Sequence, residues 1–139
     1  CPPRVLTYRG DSIGAIGGFD ERSIAASIRT ALAQGIHLDR DETIICNNGI
    51  EVTHCSFESV VKAAAIPGFY YLDKKGTDIR GVSFNSPAIF VMSDHKSMPR
   101  KSLRYLARLG GLPIALGPKT IFASQCVVLV HNDLDRQAI

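Results

Sequence analysis

Asn48-Gly49 sits inside Thr43-Ile-Ile-Cys-Asn-Asn-Gly-Ile-Glu-Val-Thr53, and no other stretch narrows the possible folds as far. Asn-Gly suits the positive-φ corners of a tight hairpin turn, and the flanking β-branched residues suit strands. Two antiparallel strands are therefore expected here. A two-residue turn would pair Asn47 with Ile50, Cys46 with Glu51 and Ile45 with Val52. In that register Cys55 lies far from Cys46, which disfavours a disulfide between them.

Other elements follow from local patterns. Val5 to Tyr8 reads as a strand, with Gly10 and Asp11 turning the chain after Arg9. A guanidinium at a strand mouth suits a phosphate or a carboxylate. Glu21 to Gln34 carries Ile24, Ile28 and Leu32 at helical spacing, and Gly35 follows as a C-cap. Ser56 opens a short helix through Ala65, closed by Pro67-Gly68. Phe69 to Leu72 and Ala88 to Met92 read as strands, with Lys74-Lys75-Gly76 as a turn between them. Met98 to Leu109 has helix signals: Pro99 near its start, Gly110 after its end, and Leu103, Leu106 and Leu109 three apart. Ser124 to His131 reads as a terminal strand. The sum is an α+β chain with two antiparallel sheets.

The 139 residues, 45% hydrophobic and 21% charged, fit one domain spanning 1–139. No apolar run approaches the length of a membrane span. Net charge is only +3, and Lys and Arg are scattered, so nucleic acid is not an expected partner. The basic residues at 96, 100, 101, 104 and 108 read as a solvated face. The chain begins Cys1-Pro2-Pro3 without Met, which reads as removal of a signal or pro-segment and a secreted product. Cys1, Cys46, Cys55 and Cys126 are even in number and lack CxxC spacing. They are expected as two disulfides, with Cys1 and Cys126 each taking one of Cys46 and Cys55. His37, His54, His95 and His131 have no metal-ligand spacing, so no metal is expected. His54 and Cys55 are adjacent and would point to opposite faces of a strand, so they do not form a nucleophile and base pair.

Three stretches in order resemble a known family. They are Tyr8-Arg-Gly-Asp-Ser12 with Gly17-Gly18-Phe19, then Glu51 to Ser56, then Leu103 to Pro113 with its Leu-Gly-Gly-Leu-Pro ending. The set resembles the mono-ADP-ribosyltransferase toxins, which include the catalytic chains of cholera toxin and heat-labile enterotoxin. The resemblance implies two packed, mainly antiparallel sheets with short flanking helices, and a strand in place of the helix signals at Met98 to Leu109. It places Arg9 at the nucleotide-holding arginine, and Thr53, His54 and Cys55 at the Ser-Thr-Ser positions. Leu103 and Tyr105 fall on the two catalytic carboxylate positions. No Asp or Glu lies between Asp94 and Asp133, and Arg100, Lys101, Arg104 and Arg108 make the region cationic. Positive charge there opposes an oxocarbenium-like transition state. The resemblance thus implies a secreted, toxin-like effector without catalytic residues, which binds a protein partner. Arg9, Thr53 and Cys55 would be a vestigial nucleotide site, and no cofactor is expected. The alternative is an active transferase that uses NAD with a displaced catalytic group.

Overall fold

The computed structural model describes residues 3–11, 18–94 and 96–137. By its contacts the chain divides into two compact units, residues 1–60 and 61–139.

The first unit contains β1 (Val5–Thr7), α1 (Glu21–Gln34), β2 (Thr43–Ile45) and β3 (Glu51–Thr53). The three strands form an antiparallel sheet in the order β1-β3-β2. α1 has the boundaries expected from its periodicity. Asp20 caps it by accepting the Ser23 backbone N–H at 3.0 Å, and the Gly35 N–H closes it on the Ala31 carbonyl. A Cβ on Gly35 would sit 2.6 Å from Val52 Cγ1, so the helix end can approach β3 only because the residue is glycine. Arg4 reaches the same place and donates to the carbonyls of Gly35 (2.9 Å) and Ile36 (3.2 Å).

The hairpin forms, but one residue out of the expected register. Ile44 pairs with Val52 and Ile45 with Glu51. The Cys46 N–H donates to the Ile50 carbonyl at 2.8 Å, and the Gly49 N–H donates to the Cys46 carbonyl at 2.9 Å. The loop is therefore Asn47-Asn48-Gly49, with Gly49 at φ +78° supplying a single left-handed residue. A one-residue slip exchanges the faces of a strand. Ile44 turns toward the core of Ala31, Leu38, Cys46, Ile50 and Val52, while Ile45 is 73% exposed.

The second unit holds β4 (Phe69–Asp78), β5 (Ile89–Val91), α3 (Arg100–Arg108), β6 (Leu112–Ala115) and α4 (Ala123–Arg136), and the division between units falls within α2 (Phe57–Ala64). The sheet order is β5-β4-β6, and both pairings are parallel. The expectation of two antiparallel sheets thus fails at the second one. Phe69, Tyr70 and Tyr71 are buried in succession, as a strand covered on both faces requires. Phe69 and Tyr71 pack with Val61 of α2 and Leu106 of α3, while Tyr70 packs with Ile114 of β6 and Val130 of α4. Gln137 ties the end of α4 down, accepting from the Phe84 N–H (3.0 Å) and donating to the Val82 carbonyl (2.9 Å).

Two further elements differ from expectation. Met98 to Leu109 contains a helix, as its own residues signalled, and not the strand implied by the toxin resemblance. The expected terminal strand is α4. A continuous apolar run such as Cys126-Val-Val-Leu-Val130 suits a buried strand or a helix equally well. As a helix it buries Val130 and leaves Val128 67% exposed.

Candidate functional site

β5 and β6 end, and β4 is interrupted by a bulge, around a cavity of about 310 Å³. Leu72 closes its floor from β4, Met92 lies just past β5, and Ile114 to Gly117 continue out of β6. Met98 and Leu103 line it from the start of α3, and Ile121, Ala123 and Cys126 from the approach to α4. The walls are mostly apolar, and the mouth carries charge from Asp73, Lys74, Lys75, Asp94, Lys96 and Lys119.

The mouth has a built geometry. β4 meets Ile114 of β6 twice, once at Leu72 and again at Thr77, so residues 73–76 bulge out of the sheet toward the cavity. Asp73 shapes the bulge by accepting the Lys75 N–H at 3.0 Å. Asp94 shapes the loop after β5 in the same way, accepting the Lys96 N–H at 2.9 Å. After β6 the chain turns at Gly117, whose φ of +138° is a conformation that side chains disfavour, and a Cβ there would meet nothing within 4 Å. Backbone groups of that turn can therefore be approached closely. Burial pushes the Cys126 thiol above its ordinary value, so it stays protonated at neutral pH.

None of the residues assigned to a nucleotide site by the toxin resemblance lines this cavity. Arg9 donates to Glu51 at 2.6 Å, and the Thr53 hydroxyl bonds that of Thr43 at 2.8 Å across the hairpin. Cys55 is a half-buried free thiol just past β3. Leu103 and Tyr105 lie on α3 and pack around Leu106, with the Arg108 guanidinium 5.6 Å over the Tyr105 ring. The expected disulfides are not formed: Cys46, Cys55 and Cys126 are free, and Cys1 lies outside the described residues. His54 anchors its loop through a 2.9 Å bond between Nδ1 and the Leu38 carbonyl, and His95 lies outside the described residues.

The sequence reading missed β6 and the cavity. A signal was present in Leu112-Pro-Ile-Ala115, a short apolar run bounded by Gly110-Gly111 and Gly117-Pro118.

A parallel sheet covered by helices on both faces, with a crevice beyond the carboxyl ends of its two outer strands and at a bulge in the central one, defines an α/β ligand-binding unit. Comparison with known proteins says which kind. All 139 residues match the family model described as "Putative SAM-dependent RNA methyltransferase", and the chain belongs to that family. A protein of Shewanella baltica called "Putative pseudouridine methyltransferase" is 41% identical over 133 residues, covering 95% of this chain and 67% of the relative. Proteins of the same description from Vibrio parahaemolyticus (41% over 133 residues) and Vibrio cholerae (37% over 135 residues) are covered to the same 67%.

Membership overturns the resemblance to the ADP-ribosyltransferase toxins, and with it the expectation of a secreted toxin-like effector acting on a protein partner. It also overturns the expectation that nucleic acid is not a partner, because the family is one of RNA methyltransferases. The matching toxin pieces were turn chemistry that many folds share. Leu-Gly-Gly-Leu-Pro, for example, is the end of α3, with Gly110 at φ +85°, running into β6.

Proposed function

We propose that this chain is the methyl-transferring part of an S-adenosylmethionine-dependent RNA methyltransferase whose acceptor is a pseudouridine. The observation that carries the reading is the cavity at the carboxyl ends of β5 and β6 and the bulge of β4, in a chain that belongs to this family.

The donor set fits the cofactor. Its size is at the lower end for small-molecule sites. Leu72, Met92, Leu103, Ile114 and Ile121 offer apolar walls to an adenine ring and a thioether-like chain. The open turn at Gly117 lets backbone groups reach a ligand's polar edge. Asp73 and Asp94 at the mouth offer carboxylate acceptors to ribose hydroxyls. Bound there, S-adenosylmethionine supplies an electrophilic methyl group. The apolar walls exclude water that would compete for it. Cys126 lines the cavity, and burial pushes its thiol up, which disfavours a thiolate there.

Two measurements test the reading. Calorimetry should show S-adenosylmethionine binding, weakened by Gly117→Val, whose side chain would occupy the open turn. Labelled methyl groups should pass to an RNA containing pseudouridine and not to the same RNA with uridine. Absence of binding removes the cofactor assignment, and equal labelling of both RNAs removes the pseudouridine assignment.

A further inference from the structure

Resting on the methyltransferase reading, we propose that the cationic mouth of the cavity and the adjoining face of α3 form one docking surface for RNA backbone phosphates. Its members are Lys74, Lys75, Lys96, Lys119, Arg100 and Arg104.

The placement carries the argument. The four lysines come from three separate segments: Lys74 and Lys75 from the bulge within β4, Lys96 from the loop after β5 and Lys119 from the loop after β6. All four line the cavity and all four are exposed, so their ammonium groups surround the opening while the apolar interior lies beneath. The two acids at the mouth are fewer than these cations, and each uses a carboxylate oxygen to hold the turn that presents a lysine. The surface continues along α3. At about 100° per residue, Arg100, Lys101, Arg104 and Arg108 fall within roughly 100° of arc. Arg100 borders Leu103, which lines the same cavity. All four are exposed, and no acidic residue follows Asp94 until Asp133. Their helix presents its opposite face, with Leu106, to the core.

A ring of cations around a small apolar pocket suits a polyanion that must deliver one uncharged base into it. An RNA strand has this character: phosphates on the rim and a nucleobase below. From sequence, the basic residues at 96, 100, 101, 104 and 108 read as a solvated face, the commoner meaning of such a run. The fold brings Lys74 and Lys75 of the β4 bulge and Lys119 after β6 to the same cavity as Lys96.

The test is fluorescence anisotropy of a labelled single-stranded RNA carrying one pseudouridine, titrated across a range of KCl. Each phosphate contact to a single strand contributes about 0.7 to the slope of log affinity against log salt, so six contacts give a slope near −4. K74Q/K75Q/K119Q should flatten the slope by about 2 and weaken binding about a hundredfold at ~0.1 M salt. Circular dichroism checks its fold. If this variant fails to fold, R100Q/R104Q carries the same test, with an expected flattening of about 1.4. Unchanged affinity and slope in a folded variant overturn the proposal, as does an absence of RNA binding by the parent chain at low salt. Calorimetry with S-adenosylmethionine alone separates the two claims. If the parent chain shows the salt slope but binds no cofactor, the docking surface stands and the methyltransferase reading falls.

Discussion

Gly76 closes the bulge in β4, and replacing it with alanine should damage the second unit out of proportion to one methyl group. A Cβ at this position would lie 2.5 Å from the carbonyl carbon of Pro113 and 2.6 Å from the Ile114 nitrogen. Ordinary contact begins at 3.4 Å, so β4 and β6 must separate by about 1 Å. Both obstacles are backbone, and neither can rotate away. Ile114 is 1% exposed and packs with Tyr70 and Val130, so β6 cannot retreat without opening the core. Overpacking against such a site costs about 3 kcal/mol, the upper part of the usual range. For a chain of this size that lowers Tm by about 10 °C. Near-UV circular dichroism can follow the unit directly, because three of the four tyrosines (Tyr70, Tyr71 and Tyr105) lie in it and the chain has no Trp. Gly81→Ala is the matched control. Its Cβ would meet nothing within 4 Å, and the substitution should hold or slightly raise Tm by reducing the freedom of the unfolded chain. A Gly76→Ala protein melting within about 3 °C of the parent chain would refute the claim that β4 and β6 are pinned at this point.

Two pH effects follow from the ionisable groups. Burial pushes the Cys46 and Cys126 thiols and the Tyr71 phenol up, with Asp73 adding to the effect on Tyr71. The unfolded thiols ionise near pH 8.5, while the folded ones keep their protons, so stability is fully present below about pH 8.5 and declines as the pH rises further. Urea titrations at rising pH should show a falling midpoint that Cys126→Ser makes shallower, and a flat profile would contradict the burial of these groups. At the acid end, the Ser23 hydroxyl (2.6 Å) and then its backbone N–H hold the Asp20 carboxyl below the ordinary carboxylate value. The stability this cap lends to α1 is present above about pH 4 and lost as the pH falls through the lowered value. Far-UV dichroism should show that acid step, and Asp20→Asn should remove it; its persistence in the variant would assign it to another group.

The residues and the family resemblance disagreed at Met98 to Leu109, and the structure sides with the residues. Leu103, Leu106 and Leu109 at helical spacing, with Gly110 beyond, describe α3. Short motifs shared with the toxins carried no packing information, whereas this periodicity did. At the hairpin the reading was right in kind and one residue out, because Asn-Gly serves two-residue and three-residue turns alike. What separates them is which of Ile44 and Ile45 can pack beneath α1, and that depends on Ala31 and Val52. The four cysteines were read as disulfides from their even number, their spacing and the one at the start of the chain, but the structure leaves Cys46 as a buried thiol against Ala31 and Ile50.

Local chemistry in the chain determined α1 with its boundaries, the hairpin, the start of β4, the strand at Ile89 to Val91 and the basic character of the stretch that becomes α3. Each depends on residues within a few positions of one another: a cap, a turn residue, an apolar period. The parallel sheet and the cavity are tertiary decisions. Tyr70 pairs with Leu112 and Phe90 with Tyr70 only because α3 and the loops between them return the chain in the same direction. No local pattern specifies those partners. The candidate site follows the same rule, since Leu72, Met92, Leu103, Gly117 and Cys126 become neighbours only when the bulge of β4 and the ends of β5 and β6 are brought together with α3 and α4.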